Sequence, residues 1–288
     1  MLNILVTGAG GQLGSELREL ATDSANRYIC TDVAELDITD AAAVEAFTEA
    51  ERIDVIVNCA AYTNVERAEE DEAAARRINC DAVRHLAAAA VRRGATLIHV
   101  STDYVFDGSG CTPYTEEMPA APLGAYGRTK RAGEEAVEAS GCRYLIFRTA
   151  WLYSAYGSNF VKTMLRLTAE RDELQVVFDQ IGTPTYAADL AAAIFRIIEG
   201  GAFIGNEGIY HFTNEGACSW YDLACETAAA AGHDRCTIRP CRTWEYPVKA
   251  PRPAYSLLDK GKYKRTFGVA IPHWREALGR CIQKLRKA

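Results

Sequence analysis

The sequence predicts an α/β protein with a doubly wound parallel sheet and a smaller C-terminal lobe, because short apolar segments alternate with helical patterns. Five segments rich in β-branched residues have the near-continuous apolar character of parallel strands that are buried on both faces. They span residues 3–7, 28–31, 54–59, 96–101 and 144–148. Helical periodicity occupies the intervals at 12–21, 41–50, 66–93 and 126–139. This alternation indicates right-handed βαβ units that place helices on both faces of one sheet.

After about residue 157 the pattern becomes mixed. Helices are predicted at 158–168, 219–231 and 273–287, and a cluster of proline and aromatic residues at 244–255 interrupts them. A final βα unit is predicted from a strand at 175–178 and a helix at 187–199. We therefore expect residues 1–156, with returning segments near 175–200, to form the larger domain. Most of 157–288 should form the smaller lobe, interleaved with the larger domain because no low-complexity linker separates them.

Composition and charge exclude several classes of protein. The 288 residues carry a formal net charge of −6, so the chain lacks the basic surface that nucleic-acid binding requires. No apolar run approaches the roughly 20 residues of a membrane span, and Met1 leads directly into the first strand without a signal peptide. The ten cysteines include no C-x-x-C pair, which favours free thiols over a disulfide framework. We expect a cytoplasmic protein in a reducing compartment, with no membrane or nucleic-acid partner.

Three glycines follow the first strand. Gly8, Gly11 and Gly14 have the G-x-x-G-x-x-G spacing, directly between a strand and a helix. Glycine allows a tight turn and the close approach of a pyrophosphate, which the N–H groups at the helix N-terminus can bind. A plain strand-to-helix turn is the alternative. The context favours a Rossmann-type dinucleotide-binding domain, with the C-terminal lobe as the substrate-binding part.

The ends of the second and third strands supply further candidate cofactor contacts. Asp32 lies about 20 residues past the glycines, where a carboxylate can accept hydrogen bonds from a ribose 2′-OH and so favour NADH. A helix-capping role for Asp32 is the alternative. Asp37 and Ile38 are expected to flank the adenine. The third strand ends in small residues that leave room for a cofactor, and the candidates there are Ala60, Ala61, Tyr62 and Thr63.

A candidate catalytic set lies between the fourth strand and the next helix. Tyr126 and Lys130 are four residues apart, which places them on one helix face. An ammonium close to a tyrosine favours the phenolate and lowers the pKa of the phenol. Thr102, with Ser101 as the weaker candidate, ends the fourth strand and can polarise the same carbonyl. A glycine turn, a strand-end hydroxyl and Tyr-x-x-x-Lys, in this order, form the pattern of short-chain dehydrogenases.

With these residues the chain resembles a narrower family, the dTDP-4-dehydrorhamnose reductases. The resemblance extends over most of the chain. It rests on GQLG at 11–14, VNCAAYTNVERAE at 57–69, STDYVFDG at 101–108, YGRTK at 126–130, FRTAWLY at 147–153, NFVKTMLRL at 159–167 and DQIGTPT at 179–185. It implies that NADH or NADPH reduces the C4 keto group of dTDP-4-dehydro-6-deoxy-L-mannose (dTDP-4-dehydrorhamnose) to give dTDP-L-rhamnose.

The resemblance also implies roles for particular residues. Tyr126 would donate the proton, Lys130 would adjust the pKa of the Tyr126 phenol, and Thr102 would bind the substrate oxygen. Asp103 would help to hold the sugar, and Trp151 would stack on it. The sequence alone is equally consistent with Trp151 as a core aromatic residue. The implied cofactor contacts are Gly11, Gln12, Leu13, Asp32, Asp37, Ile38, Ala61, Tyr62, Thr63, Tyr126 and Lys130.

The sequence departs from the family at one point. Members with a magnesium-bridged dimer use three carboxylates, and here only Glu16 matches. Ala188 occupies the second position, with Asp189 displaced by one residue and therefore by about 100° around a helix. The last acid, Glu276, lies well before the basic C-terminal residues. We therefore do not expect Mg²⁺ binding, and we expect a monomer or a dimer that forms without a metal bridge.

Two other functions are possible on this scaffold. A non-catalytic regulatory subunit can dispense with the Tyr, Lys and Thr set, which this chain retains. Another nucleotide-sugar enzyme, such as an epimerase or a dehydratase, is the second alternative. A dehydratase needs an acid and a base besides the tyrosine, and the run Ser101-Thr102-Asp103 offers only Asp103. The sequence therefore favours a reductase.

Overall fold

The computed structural model describes residues 1–246 and 248–287, and its main body is a six-stranded parallel sheet. Pro247, within the predicted interruption at 244–255, and Ala288, the last residue of the predicted lobe, lie outside the described residues. The strands of the sheet, numbered along the chain, are β1 (Asn3–Thr7), β2 (Arg27–Thr31), β3 (Val55–Asn58), β4 (Thr96–Thr102), β5 (Arg143–Thr149) and β10 (Gly208–His211). Their order is β10-β5-β4-β3-β1-β2. The predicted Rossmann-type sheet is confirmed.

The strand order reverses between β1 and β3, and this point defines the main crevice. The chain leaves β1 towards β2 and then returns to place β3 on the other side of β1. Gly8, directly after β1, has φ +65°, and a Cβ there would lie 2.8 Å from the Cα of Ala60. The loops that follow β1 and β3 therefore touch. In open α/β sheets, ligands bind outside the carboxyl ends of the strands at such a reversal.

Helices cover both faces of the sheet. Their bounds are α1 (Gln12–Ala21), α2 (Ala41–Ala50), α3 (Val65–Glu70), α4 (Glu72–Arg76), α5 (Ala82–Arg93), α6 (Ala125–Glu138), α7 (Phe160–Glu170), α8 (Ala187–Glu199), α9 (Trp220–Ala231), α10 (Gly261–Phe267) and α11 (Trp274–Lys287). On one face, Leu17 of α1 and Ile194 of α8 pack on Val6 of β1. On the other face, α2, α5 and α6 pack on the alternate side chains of the same strands. The result is a three-layer body.

The helix predicted at 66–93 is wrong in detail, because it is broken twice. Asp71 has φ −140° and ψ 74°, which ends α3, and its side chain accepts a hydrogen bond from the N–H of Ala74 in α4. A π-helical turn, Arg77–Asp81, then leads into α5. The apolar periodicity continues across both irregularities, since alanine fits every one of these conformations. The apolar periodicity therefore could not show these two irregularities.

The strand of the predicted final βα unit was also wrong. Strand β7 (Glu173–Val177) does not join the main sheet, but pairs with β12 (Thr237–Cys241) in a separate two-stranded sheet. Its side chains alternate between exposed and buried, unlike those of a strand covered on both faces. Helix α8 does return to the main body, where it packs against α1. The sixth strand of the main sheet is β10, which the sequence analysis missed.

The smaller lobe is built around its own core. Short strands connect it to the main body: β6 (Leu152–Tyr153), β8 (Ile181–Gly182), β9 (Thr185–Tyr186) and β11 (Cys218–Ser219). Helices α7, α9 and α11 enclose a cluster that includes Tyr153, Leu223 and Leu278. Strand β6 follows β5 after two residues, so the lobe begins at the carboxyl edge of the main sheet.

Two further findings concern expectations from composition. In the described part of the chain, no helix combines the length and the apolar character that crossing a membrane requires. All ten cysteines are free thiols.

The contact of α1 with the glycine turn generates a stability prediction. A Cβ on Gly14 would lie 2.4 Å from the carbonyl oxygen of Gly8 and 2.6 Å from the Cα of Ala9. Because both neighbours are backbone atoms, Gly14→Ala should lower the free energy of unfolding by about 1–3 kcal/mol. Gly279 is the matched control, since it lies within α11 and a Cβ there meets no atom within 4 Å. Gly279→Ala should raise stability by about 0.5–1 kcal/mol. Urea unfolding of both variants measures this, and a stable Gly14→Ala variant would contradict the packing described.

Candidate active site

A cleft of about 430 Å³ lies at the carboxyl ends of β1, β2 and β3. It brings together seven of the predicted cofactor contacts: Gly8, Gly11, Asp32, Asp37, Ile38, Ala60 and Ala61. Its remaining lining residues are Gly10, Val33, Leu36, Thr39, Cys59 and Ile78. No lysine or arginine is among these described lining residues. The cleft therefore presents apolar walls with two carboxylates at one end.

The first helix points its N-terminus at this cleft. Gly11 is the N-cap of α1 and supplies no side-chain cap, so the first N–H groups of the helix are free to bind an anion. Leu13 is buried in the main core, which leaves only its backbone for a ligand. Gly14 packs against the turn itself and does not line the cleft.

Asp32 is held against the glycine turn. One carboxylate oxygen accepts a hydrogen bond from the N–H of Gly10 at 3.0 Å, and the other accepts from the N–H of Val33 at 2.9 Å. Each oxygen keeps a further lone pair that a ribose hydroxyl could use. Asp37 accepts from the N–H and hydroxyl of Thr39, and these bonds lower the pKa of its carboxyl. Both side chains line the cleft.

The other predicted cofactor contacts lie beside the cleft. Gln12 accepts a hydrogen bond from the side chain of Asn159 in the smaller lobe, at 3.0 Å. Thr63 is exposed. The backbone of Tyr62 forms two hydrogen bonds with the side chain of Asn79. The N–H of Tyr62 donates to the amide oxygen of Asn79 at 2.9 Å, and the amide nitrogen of Asn79 donates to the carbonyl of Tyr62 at 3.1 Å.

Asn79 is a site residue that the sequence analysis missed. It lies in the π-helical turn, and its amide also donates to the hydroxyl of Thr129 on α6, at 3.2 Å. It therefore links the loop after β3 to the helix that carries Tyr126 and Lys130. The available signal was an asparagine within an alanine-rich helical pattern, where a polar side chain has no reason to be buried.

Thr102 and Tyr126 are brought together at the end of β4. The hydroxyl of Thr102 lies close enough to the phenol of Tyr126 to lower its pKa, although its own proton is donated to Asp103, and the ring of Tyr104 meets that of Tyr126 edge-on at 5.5 Å. Burial raises the pKa of Tyr126, and the Thr102 hydroxyl only partly opposes this. The predicted lowering of this pKa by Lys130 is therefore wrong for the protein alone. A phenol with a raised pKa stays protonated and can serve as an acid.

Lys130 is buried one turn further along α6. Its ammonium donates to the carbonyl of Val100 at 2.7 Å, and it lies 3.5 Å from Nε2 of His99. Burial lowers the pKa of Lys130 to about 8, while the charge of Glu134 acts in the opposite direction. Tyr126 and Lys130 thus share one helix, as predicted, but the surroundings of Lys130 include a histidine that the sequence analysis missed.

Asp103 follows Thr102 and is almost fully buried. Its carboxylate accepts a hydrogen bond from the Thr102 hydroxyl at 3.0 Å. Burial raises the pKa of Asp103 to about 6, and the hydroxyls of Ser256 and Thr102 oppose this rise. Ser101, the weaker candidate, lies on the side of Glu134 and lowers the pKa of that carboxyl, since successive strand residues point to opposite faces.

Trp151 lies between two neighbours at the junction of the lobes. It has φ +49°, an uncommon conformation for a bulky residue, and its ring stacks on Trp220 at 3.7 Å. A Cβ on Gly182 would lie 2.7 Å from the Trp151 ring and 2.9 Å from the hydroxyl of Ser256, which acts on the pKa of Asp103. Trp151 is half-buried, so it is neither a fully buried core residue nor a ring that is fully exposed for stacking on a sugar.

A second cleft of about 560 Å³ opens in the smaller lobe. It is lined by α7, β7 and the ring of Trp220, together with Tyr246, Val248 and Arg252. Arg252 donates to the hydroxyl of Tyr104 at 2.8 Å and to Glu66 at 2.6 Å. Trp220 and Arg252 thus connect this cleft with the residues around Tyr126, and the sequence analysis missed both.

The acids at the expected metal positions are paired with cations of α11. Lys284 donates to Glu16 at 2.8 Å, and Ser154 donates to the other oxygen of Glu16 at 2.6 Å. Arg280 holds both oxygens of Asp189, at 2.8 and 2.7 Å. Within residues 1–246 and 248–287, no three His, Cys, Asp or Glu side chains are grouped as metal ligands. An ammonium and a guanidinium among these donors do not fit a divalent cation.

The six-stranded sheet, the glycine turn and the Tyr126–Thr102 pair define a protein of the short-chain dehydrogenase class. Comparison with known proteins narrows this class. The family model described as RmlD substrate binding domain matches residues 2–287, and the chain belongs to this family.

Similar proteins span the whole chain. The chain is 43% identical to a dTDP-4-dehydrorhamnose reductase from Burkholderia thailandensis, covering 99% of each, and 42% identical to one from Aggregatibacter actinomycetemcomitans, covering 96% of this chain and 97% of that protein. Among solved structures, a dTDP-4-dehydrorhamnose reductase from Clostridium acetobutylicum has a TM-score of 0.95 at 44% identity, covering 99% and 100%. The enzyme of the same name from Bacillus anthracis, in complex with NADP, has a TM-score of 0.94 at 38% identity, also covering 99% and 100%.

The raised pKa of Asp103 generates a prediction about stability. Between the ordinary carboxyl pKa near 4 and about 6, the folded protein keeps a proton that the unfolded chain releases. Stability contributed by this group therefore falls as the pH rises through that window and remains low above it. Asp103→Asn removes the buried charge, so it should raise the free energy of unfolding at pH 8 by about 1–3 kcal/mol, with no gain at pH 4.

Denaturant unfolding at pH 4 and pH 8 measures this difference. Asp107 is the matched control, because hydrogen bonds from Ser109 lower the pKa of its exposed carboxyl. Asp107→Asn should give no gain at either pH. An Asp103→Asn variant with an equal gain at both pH values would show that the buried charge is not the cause.

Proposed function

We propose that this protein uses NADH or NADPH to reduce the C4 keto group of dTDP-4-dehydro-6-deoxy-L-mannose to a hydroxyl, giving dTDP-L-rhamnose. The observation that carries the proposal is that Thr102 at the end of β4 and Tyr126 on α6 lie together, in a protein whose sheet carries a dinucleotide cleft at the ends of β1, β2 and β3. It occurs in a chain 42–43% identical, over almost its full length, to relatives named for this reaction.

The cleft at β1, β2 and β3 fits a nicotinamide dinucleotide. The turn from Gly8 to Gly11 leaves no side chain between the backbone and a pyrophosphate, and the free N–H groups of α1 supply its donors. Asp32 would accept from the ribose hydroxyls, with Asp37 and Ile38 beside the adenine. When bound, the cofactor supplies the hydride. A carboxylate at Asp32 favours the unphosphorylated ribose, yet the B. anthracis relative binds NADP. We therefore propose that both forms are used.

Tyr126 and Thr102 would serve the substrate oxygen together. As hydride reaches the carbonyl carbon, negative charge develops on the oxygen, and the Tyr126 phenol donates a proton to it. The Thr102 hydroxyl, which lies beside that phenol, would position the same oxygen. Lys130 lies one turn away on α6, and Asp103 would accept a hydrogen bond from a sugar hydroxyl.

The stacked pair of Trp151 and Trp220 offers an apolar face for the deoxysugar. We place the nucleotide in the second cleft, because Trp220 lines that cleft and also contacts Trp151. Arg252 and Arg171 line the same cleft, and guanidinium groups suit the diphosphate. The two clefts would then hold the cofactor and the nucleotide on opposite sides of Tyr126.

The alternatives from the sequence receive less support. Solved structures of nucleotide-sugar epimerases and dehydratases are only about 20% identical to this chain, so they indicate its fold alone. A regulatory subunit would not need Tyr126 and Thr102 side by side. A reductase remains the proposal.

Turnover by Tyr126→Phe tests the proposal directly. The change keeps the ring and removes the proton donor, so kcat should fall by roughly 10²–10⁴-fold while the fold and cofactor binding persist. Oxidation of NADH and NADPH is followed with dTDP-4-dehydrorhamnose generated in situ, alongside other 4-keto sugars. Tyr144→Phe is a matched control, since Tyr144 lies on β5 and packs against the core beside α5, away from both clefts. Wild-type turnover by Tyr126→Phe would exclude Tyr126 as the acid, and no oxidation of either cofactor would overturn the function.

We propose a cytoplasmic enzyme that is a monomer or a dimer without a metal bridge. The support is the pairing of Glu16 with Lys284 and of Asp189 with Arg280. Activity and light-scattering mass should be the same with and without EDTA, because no step of the proposed reduction requires a metal. Loss of activity together with dissociation in EDTA, restored by Mg²⁺, would contradict this.

A further inference from the structure

A row of buried polar side chains crosses the main sheet beneath the candidate active site. Thr7, Asn58 and His99 are neighbours in register on β1, β3 and β4. All three are essentially inaccessible to solvent. The hydroxyl of Thr7 donates to the amide oxygen of Asn58 at 2.8 Å, and the amide nitrogen of Asn58 lies 3.1 Å from Nδ1 of His99. The row ends at Lys130, whose Nζ lies 3.5 Å from Nε2 of His99.

The partners of Asn58 determine which nitrogen of His99 carries the proton. The backbone N–H of Ala60 donates to the side-chain oxygen of Asn58 at 3.1 Å, and a backbone N–H can only donate. The amide nitrogen of Asn58 must therefore face His99. Because that nitrogen is only a donor, Nδ1 of His99 accepts, and a neutral imidazole then has its proton on Nε2. Burial and the charge of Lys130 hold the pKa of His99 well below its usual range, so the ring is neutral.

We propose that the row of Thr7, Asn58 and His99 directs the Nε2–H of His99 at the amine of Lys130 and thereby favours the neutral amine over the ammonium. His99 is then a positioning residue that acts through Lys130. This inference rests on the proposed reduction, and it adds a residue to which no role in that reduction has been assigned.

The surroundings of Lys130 agree with this role. A neutral amine has one lone pair and two N–H donors, so it can accept from Nε2–H of His99 while it donates to the carbonyl of Val100. An ammonium has no lone pair and would meet Nε2–H donor to donor. Burial acts in the same direction, since it lowers the pKa of Lys130 to about 8.

The other charged groups near α6 are already paired. Glu134, one turn beyond Lys130, favours the ammonium, but it forms a buried ion pair with Arg148 of β5 and a further one with Arg131. On the short helices packed against α6, Glu72 pairs with Arg128. Glu69 accepts from the N–H of Ala125.

The remaining groups on these elements either act on Tyr126 or are paired elsewhere. Asp103 and Tyr104 act on Tyr126. Asp81 of the π-helical turn pairs with Arg84 of α5. His99 is therefore the titratable group that contacts the Lys130 amine directly, among the described residues.

The proposal gives the proton a defined course. After Tyr126 has given its proton to the substrate oxygen, the Lys130 ammonium can return one to the phenolate, breaking one N–H bond and forming one O–H bond. The neutral amine that results is the form that His99 stabilises, and it regains a proton from solvent before the next turnover. A lysine that releases its proton near pH 8 suits this task better than one near its ordinary value of about 10.4.

The first test is the protonation of His99 in the wild-type protein, which does not depend on activity. Long-range ¹H–¹⁵N correlation spectra of protein labelled in its histidines distinguish a protonated ring nitrogen from an unprotonated one. We expect Nε2 of His99 to carry the proton, with the signal assigned by its loss in His99→Gln. A proton on Nδ1, or a doubly protonated ring at pH 7, would overturn the proposal even if the enzyme is fully active.

The second test is the pH dependence of kcat in three variants. Asn58→Asp gives Nδ1 an acceptor, which moves the ring proton to Nδ1 and leaves Nε2 to accept from the ammonium. The fall in kcat at high pH should then move up by about 1 pH unit or more. His99→Leu removes the N–H donor and should move it up by about 0.5–1 pH unit. His99→Gln can accept from Asn58 and donate to Lys130, so its profile should match that of the wild type.

His211→Gln is the matched control, because His211 is equally buried but bonds to the carbonyl of Tyr114 away from Lys130. It should change stability without moving the pH profile. Equal shifts in His211→Gln and His99→Leu, or no shift in the folded Asn58→Asp and His99→Leu variants, would assign the row a purely structural role. A protein inactive towards every 4-keto sugar but with Nε2 of His99 protonated would instead leave the row intact and refute the proposed function.

Discussion

The close docking of α6 against its neighbours is the constraint on which the candidate site depends. A Cβ on Gly127 would lie 2.2 Å from the carbonyl oxygen of Tyr104, and one on Gly133 would lie 2.1 Å from that of Asn79. Two glycines on one helix therefore allow its backbone to approach the end of β4 and the π-helical turn. Any larger side chain at either position would move the helix outwards. Tyr126 would then lose its place beside the strand end, where its ring packs edge-on against that of Tyr104.

A buried ion pair fixes the other end of the same helix. Glu134 on α6 and Arg148 on β5 form two hydrogen bonds, at 2.9 and 2.8 Å, and both side chains are buried. The guanidinium also lies over the ring of Phe106, and this pairing helps to keep the pKa of Glu134 low despite burial. A pair of this kind contributes little net stability, but the loss of one partner leaves an uncompensated charge. It therefore determines where α6 lies along β5 more than how stable the protein is.

Much of the fold followed from patterns that short segments express by themselves. Strands β1 to β5 and helix α1 were predicted within a residue or two, since buried parallel strands are continuously apolar and the glycine turn marks the start of the helix. Strand β10 was missed because four residues beside two glycine-containing turns carry too little pattern. Strand β7 has the period of a half-exposed strand, and only its partner β12, about 60 residues later, shows which sheet it joins.

The candidate site divides in the same way. Thr102, Tyr126 and Lys130 could be predicted because their order along the chain is tied to strand ends and helix faces. Asn79 and His99 could not be predicted, since a single polar residue in an apolar segment does not indicate which residue it contacts. The partner of each is distant in the sequence. The raised pKa of Tyr126 also depends on burial, which no spacing between residues expresses.

The central claim is that the site delivers a hydride to the keto carbon of a nucleotide-linked sugar and that Tyr126 protonates the oxygen. The most direct measurement is the position of deuterium in the product formed from NADH or NADPH deuterated at C4 of the nicotinamide. We expect one deuterium at C4 of the sugar, on the carbon that bears the new hydroxyl, by mass spectrometry and NMR of the isolated dTDP-sugar. A product without deuterium, or with deuterium at any other carbon, would contradict it.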